Sequence, residues 1–266
     1  MSKAKVEIIY ADDDILVINK PSGVPVTKDR AGTPQLTDIL AEQLCPQICS
    51  QLRLVHRLDK ETSGVMILAK NTDAQRRFSE YFTNRQVKKT YLALVSGALT
   101  DRQGTIKTRL ERNQKNPALM SVTAKKGKEA VTVWKLLADF GSVALLAVTP
   151  LTGRTHQIRV HLAHIGLPLT IDPLYAAKRP LFLSDFKADY RLSKGQTEKP
   201  LIERLTLHAY QLVIPAEAGI KPDCFVASLD KKFAATIKML TKHNPKGPGA
   251  FTSPDDFSKI LNGEAF

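Results

Sequence analysis

The sequence predicts an α+β protein with a mixed, largely antiparallel central sheet flanked by helices and crossed by a basic cleft. Three observations point there. Short apolar runs sit on either side of tight polar turns, helical segments with apolar residues three or four apart alternate with them, and one long polar hairpin carries most of its charge as cations. Residues 6–10 and 15–19 read as strands around the turn Asp12-Asp13-Asp14. Thr33-Pro34 reads as the N-cap and first-turn proline of a helix whose stripe is Leu36, Ile39, Leu40 and Leu44 and which Pro46 ends. Residues 65–69 form a buried strand, and 71–82 a helix in which Ala74, Phe78 and Phe82 recur every four residues.

Residues 90–95 and 143–148 are further strands, while 107–128 is the hairpin region, with seven basic residues against Glu111 as its one acid. A helix over 155–165 is expected to start at Thr155, stop at Gly166 and bury Ile158, Leu162 and Ile165 under a cationic outer face. Residues 177–200 are polar and irregular, the pattern of an insertion that is mobile until substrate binds. Asp230 opens a helix bearing Phe233, Ile237 and Leu240, residues 244–249 read as a linker, and Ser253-Pro254-Asp255-Asp256 caps a last helix with Phe257, Ile260 and Leu261. The expected division is a catalytic domain over 1–241 followed by a linker and short helix over 242–266.

With 266 residues, 43% of them hydrophobic, the chain can bury a full core. A formal charge of +13 makes a polyanion the expected partner. No run of 18 apolar residues exists and Met-Ser-Lys-Ala-Lys-Val-Glu lacks the apolar core of a signal peptide, so the expectation is a cytoplasmic protein without a membrane partner. Cys45, Cys49 and Cys224 form no Cys-x-x-Cys pair and read as reduced, structural thiols. Near His156, His161 and His164 no cysteine or glutamate stands at ligand spacing, so no metal is expected. No phosphate-binding Gly-x-x-x-x-Gly-Lys loop, dinucleotide fingerprint or zinc-deaminase signature is present.

The densest chemistry lies in 56–70, His-Arg-Leu-Asp-Lys-Glu-Thr-Ser-Gly-Val-Met-Ile-Leu-Ala-Lys. Arg57 and Lys60 flank Asp59, a setting that keeps a carboxylate ionised and ready to act as a nucleophile, although the same residues taken alone make a solvated turn or an ion pair. Further segments join it: Asn19-Lys20-Pro21-Ser22-Gly23, Lys89-Thr90-Tyr91-Leu92-Ala93, Thr-Gly-Arg-Thr-His-Gln-Ile-Arg from Thr152 to Arg159 with its continuation to Tyr175, and Arg-Leu-Thr-Leu-His-Ala from Arg204. In this order they resemble the RluA-type pseudouridine synthases, from about Val6 to about Phe233. Leu167 and Ile171 depart from the family's usual histidine and glycine at those places.

The resemblance implies the pseudouridine synthase fold and isomerisation of uridines in ribosomal or transfer RNA, by base flipping and without a cofactor. It implies Asp59 as nucleophile or acid–base group at the sugar, and Tyr91 as the active-site tyrosine that stacks on uracil and can relay a proton. Arg154 is the expected ion-pair partner of Asp59, with Arg159 its competitor; Arg159, one turn from His156, is also placed to meet a carboxylate or a phosphate, Arg57 is expected to enter the RNA stack or meet a phosphate, and His56, counted with the substrate-binding residues, to orient the loop. Leu205 and Leu207 should form an apolar wall, with His208 structural. The family often carries an N-terminal RNA-binding domain, whereas five residues precede the first expected strand. RNA affinity should therefore come from the core, above all from Lys125, Lys126 and Lys128 with Lys107, Arg109, Arg112 and Lys115. The expected assembly is a monomer without an obligate protein partner. The competing reading is a catalytically silent RNA-binding or chaperone protein on the same fold; a methyltransferase lacks its cofactor loop here.

Overall fold

A computed structural model describes residues 5–28, 32–44, 50–187, 189–193 and 195–266 of the chain. They fall into two compact units, Met1–Thr90 with His208–Ser228, and Tyr91–Leu207 with Leu229–Glu264. The boundary expected between residues 241 and 242 lies inside a helix. Cys45, Pro46 and Cys49 lie outside the described residues; Cys224 is a free thiol, pushed up by burial and by Asp223.

In chain order, strands β1 (Glu7–Ala11) and β2 (Ile15–Lys20) pair antiparallel across the aspartate turn, where Asp12 Oδ1 accepts from the backbone of Asp14 and Ile15. Helix α1 (Leu36–Gln43) starts later than Thr33-Pro34 suggests. Its N-cap is Gln35, whose N–H donates to Asp38, and the Thr33 hydroxyl is turned to Lys60 instead. Strand β3 (Arg53–Leu54) precedes β4 (Ser63–Ala69), buried at every position as its unbroken apolar run requires. Helix α2 (Thr72–Thr83) is capped by Asn71, which accepts from Ala74, and it buries Ala74 and Phe78.

Strands β5 (Lys88–Ser96), β6 (Gln103–Arg112), β7 (Met120–Thr123), β8 (Lys128–Asp139) and β9 (Val143–Pro150) follow, then helix α3 (Gln157–His164). Strands β10 (Leu207–Val213) and β11 (Cys224–Val226) come next, and helices α4 (Lys231–His243) and α5 (Asp256–Asn262) end the chain.

In the first unit the strand order is β1-β2-β4-β10, with β3 beside β4 and β11 beside β10. All these pairs are antiparallel except β4 with β10, which run parallel at His208–Ser63 and Ala209–Gly64. Gly64 is what lets them meet there. Its φ is +118°, and a Cβ at that position would stand 2.1 Å from the Ala209 carbonyl oxygen. In the second unit the order is β5-β9-β8-β6-β7, antiparallel throughout. The mixed, largely antiparallel sheet expected from the sequence is thus what the chain forms.

The second unit's core lies against one face of this sheet, where Ala93, Val95, Ile106, Trp134, Leu136, Leu146 and Val148 meet Ile158 and Leu162 of α3. Two sequence expectations change here. Helix α3 begins at Gln157 with His156 as N-cap, Ile165 is 37% exposed, and six successive residues from Gln157 to Leu162 are buried, so the helix has no cationic outer face. The linker expected over 244–249 instead forms turns, with the Gly247 N–H donating to the Asn244 carbonyl and the Gly249 N–H to that of Lys246, and runs into a 3-10 turn over Gly247–Ala250. Just after it, at a register shift in β8, the Leu136 and Leu137 carbonyls accept from the Thr252 hydroxyl and N–H, and Phe251 packs between Phe140 and Phe257. The 177–200 segment also carries order of its own. Leu181 and Ile202 pair as buried partners and Glu198 takes both the N–H and the hydroxyl of Ser184.

Gly64→Ala should destabilise the fold by at least about 2 kcal/mol, because the new methyl meets backbone that cannot yield and the residue must hold a glycine conformation. Urea unfolding measures it, and a loss below about 0.5 kcal/mol would show that β4 and β10 separate freely.

Candidate active site

The loop that carries Asp59 is fixed at its backbone. The N–H of Thr62 donates to the Asp59 carbonyl at 3.1 Å, closing a turn over Asp59-Lys60-Glu61-Thr62. From the Asn19-Lys20-Pro21-Ser22-Gly23 segment, the Lys20 ammonium and the Gly23 N–H both donate to the Lys60 carbonyl, and the Ser22 hydroxyl donates to that of Glu61 at 2.6 Å. Thr62 and Ser63 are buried behind the turn; the Ser63 hydroxyl lies 2.9 Å from His208 Nδ1, and His208 Nε2 lies 2.9 Å from the Ala227 carbonyl. A carbonyl only accepts, so His208 Nε2 carries a proton and donates it to Ala227. His208 is structural, as expected.

His56 accepts the Ile67 N–H on Nε2 at 3.0 Å and stacks on Phe82 with ring centroids 4.2 Å apart. Burial, and then the charge of Lys89, push it down to about 3, so it is a neutral loop anchor and not a cationic contact for phosphate. Arg57, in contrast, is exposed.

In the second unit the Thr152–His156 loop is locked by one side chain. Gln157 is buried, its Oε1 accepts from the Thr152 hydroxyl and the Arg154 N–H, and its Nε2 donates to the Val131 carbonyl and the Thr132 hydroxyl. Arg154 Nε donates to the Glu129 carbonyl at 3.0 Å, so both the backbone and the stem of Arg154 are tied to β8. Arg159 is placed differently from the sequence expectation. It is 3% exposed and forms a two-point pair with buried Asp172, Nε to Oδ2 at 2.8 Å and Nη2 to Oδ1 at 2.7 Å, which makes it an internal brace out of reach of a phosphate. His161 is likewise internal, 2.8 Å from the Thr132 hydroxyl and 2.9 Å from that of Thr108, with burial pushing it down to about 4.

Tyr91 opens the second unit opposite Val148 on β9 and packs, half-buried, against the apolar cluster that includes Leu205, Leu207, Ile158 and Leu162. The basic side chains are on the hairpin. The loop from Ala124 to Gly127 crosses β6 at Leu110, where a Cβ on Gly127 would stand 2.5 Å from the Leu110 carbonyl oxygen, and Arg109 Nε donates to the Gly127 carbonyl. Lys125, Lys126 and Lys128 are exposed there, as are Lys107, Arg112 and Lys115 along the hairpin. Folding adds an acid that the hairpin's own sequence did not show, since β8 brings Glu129 opposite Arg109, with 3.3 Å between the charged atoms.

Sequence reasoning passed over Lys20, Gln157 and Tyr175. The available signal was a polar residue in a position flanked by core residues, which marks a satisfied buried group only once its partners are known.

Comparison with known proteins places this geometry. Residues 14–164 match the family model described as RNA pseudouridylate synthase, and the chain belongs to that family. It is 37% identical over 228 residues to an uncharacterised RNA pseudouridine synthase of Zymomonas mobilis, covering 85% of this chain and 94% of the relative. It is 34% identical to the ribosomal large subunit pseudouridine synthase D of Borreliella burgdorferi, covering 76% of this chain and 66% of the relative. Among solved structures, human RNA pseudouridylate synthase domain containing 4 is similar at a TM-score of 0.66 and 28% identity, over 88% of this chain and 92% of that one. The family is one of isomerases, and the fold expected from the motifs is the fold observed. No helix among the described residues is long and apolar enough to cross a membrane.

The two neutral histidines give a pH signature. Each has a folded pKa depressed below its unfolded value near 6.5, so unfolding takes up protons as pH falls below 6.5. Stability should be full above pH 6.5 and decline below it, down to about 4 for His161 and about 3 for His56, by at most about 1.4 kcal/mol per pH unit for each. Urea unfolding between pH 7.5 and 5.5 should show the decline, and His161→Gln should flatten it; an unchanged slope would mean that His161 is charged in the folded protein.

Proposed function

We propose that this chain converts uridine to pseudouridine in a structured ribosomal or transfer RNA, with Asp59, Tyr91 and Arg154 carrying the reaction. The observation that supports this most is the backbone-fixed turn at Asp59, held through Lys60 and Glu61 by the preceding Lys20-Pro21-Ser22-Gly23 segment. A carboxylate on such a turn is positioned before substrate arrives, which is where catalytic orientation is gained. The N1–C1′ bond breaks, the uracil turns, C5 bonds to C1′, and the C5 proton leaves while N1 regains one. Atoms and electrons balance without an oxidant, metal or energy source.

Asp59 serves as the nucleophile or acid–base group at the sugar. Tyr91 offers the uracil an aromatic face and a phenol. Arg154 supplies a fixed positive charge, and the apolar wall of Leu205 and Leu207 excludes water near Tyr91. Arg57, exposed beside Asp59, takes the place of the flipped base or meets a phosphate. The hairpin lysines hold the RNA backbone irrespective of sequence. Four relatives are named for the large ribosomal subunit, which favours ribosomal over transfer RNA here.

Asp59→Asn should abolish pseudouridine formation in total cellular RNA while changing RNA affinity by less than about threefold, since size is kept and only the charge goes. Near-wild-type turnover would remove Asp59 from the mechanism, and a wild-type protein that binds RNA but forms no pseudouridine would favour the silent RNA-binding reading.

Lys125→Ala with Lys126→Ala and Lys128→Ala should weaken binding to all RNAs tested and flatten the plot of log affinity against log salt by about 0.7 to 0.9 per lost phosphate contact. Single-turnover chemistry at saturating enzyme should stay close to wild type. An unchanged slope and affinity would move the grip to residues 177–200.

A further inference from the structure

His156 is one of two non-glycine residues among those described with a positive φ, at +54°, and it stands two residues after Arg154. It is the N-cap of α3 yet makes no side-chain cap bond. Residues in this conformation persist where surrounding structure enforces it, and they gather at functional sites. The enforcing group is within reach: His156 Nδ1 is 2.8 Å from the Tyr175 hydroxyl. That hydroxyl also accepts the Met120 N–H at 2.8 Å, so it ties the first residue of β7 to the start of α3. Nδ1 of His156 and this hydroxyl share one hydrogen bond, whose direction follows the histidine tautomer.

Tyr175 is itself immobilised. Asp172, buried and paired with Arg159, accepts the N–H groups of Leu174 and Tyr175, and the Arg159 guanidinium lies 5.2 Å from the Tyr175 ring centre. The ring packs against Leu110, Ala130 and Val160. A chain of fixed contacts thus runs from a buried ion pair, through one phenol, to the strained residue that follows the Arg154 turn.

We propose that Tyr175 and His156 are positioning residues for the uridine isomerisation: the Tyr175 hydroxyl holds His156 in its left-handed conformation, and this backbone setting aims Arg154. The proposal rests on the catalytic assignment of Arg154 above. The role of His156 is in its backbone, so the residue is needed for where it sends the chain rather than for its ring chemistry. A conformation enforced from outside an L-residue is adopted by glycine without strain. Loss of the hydroxyl therefore matters only while residue 156 is not glycine.

The test uses the RNA that the wild-type protein modifies in total cellular RNA, with single-turnover rates, RNA affinity and urea unfolding measured together. Tyr175→Phe keeps the ring and its packing and should slow the chemical step by about 10- to 100-fold, the scale of a small misplacement, with affinity changed by less than about threefold. His156→Ala should be slowed similarly. His156→Gly should stay within about threefold of wild type, and adding Tyr175→Phe to His156→Gly should slow it by less than about threefold further. A merely structural phenol would lower the unfolding midpoint in both backgrounds and leave the rate of the folded enzyme alone. Tyr175→Phe at wild-type rate, or His156→Gly as slow as His156→Ala, overturns the proposal. If the wild-type protein forms no pseudouridine, the functional reading fails instead. The unfolding cycle then decides the backbone claim: Tyr175→Phe removes the Met120 N–H partner in both backgrounds, so the claim stands if the loss of stability is larger in the wild type than in His156→Gly and falls if the two losses are equal.

Discussion

Lys20 carries its ammonium into the interior of the first unit, where the side chain is 0% exposed and Nζ donates to the carbonyls of Pro21, Val24 and Lys60 at 2.9 to 3.0 Å. Moving a charge out of water costs several kcal/mol, and only good geometry with every proton used offsets it. Two stretches of chain 40 residues apart are thereby held in one arrangement, since withdrawing the Lys60 carbonyl would leave a buried N–H without that partner. Asp59 is the neighbour of Lys60. The rigidity of the carboxylate's backbone thus follows from the desolvation of a buried lysine, and Ser22 and Gly23 reinforce it at Glu61 and Lys60.

The second unit solves the same problem with an uncharged group. The Gln157 amide has two acceptances and two donations in use, all inside the protein, and the loop carrying Arg154 hangs on the two acceptances, from Thr152 and Arg154. Thr132 extends the array to His161 and from there to Thr108. Fully satisfied polar networks of this kind favour a single arrangement, because each shifted member orphans another in a low dielectric. This explains why helix α3, buried over most of its length, is rich in polar residues. Gln157, Arg159 and His161 are buried because their partners lie on β8, β6 and the Asp172 turn.

That inversion marks the limit of what the sequence made legible. Strands β2 and β4, helices α2 and α4, and the hairpin came from local pattern, because apolar spacing and caps such as Asn71 and Asp230 act within a few residues. The motifs located Asp59, Tyr91 and Arg154, and resemblance supplied their roles. Helix α3 was misread for a physical reason: Arg159 and His161 look solvent-facing by type, and only Asp172, Thr132 and Thr108, distant in sequence, make their burial affordable in energy. The 244–249 segment reads as a linker from its prolines and glycines. The contacts that hold the chain just after it, at Thr252 against the β8 bulge, are tertiary, and nothing in a local window reports them.

Charge is divided along the same line. Several arginines spend their fork on an acid within the protein, as in Arg159 with Asp172, Arg77 with Asp14 and Arg179 with Asp185. The hairpin lysines Lys107, Lys115, Lys125, Lys126 and Lys128 stay exposed and form no ion pair among the described residues. A lysine is a hydrated point charge on a flexible stem, suited to following a phosphate backbone and poor at fixing a geometry. An excess of thirteen positive charges over the whole chain therefore does not blur the site. Lys20 and Arg159 are desolvated and braced, while the hairpin lysines remain in water, the setting from which the RNA contacts proposed above would gain by exchanging counterions for phosphates.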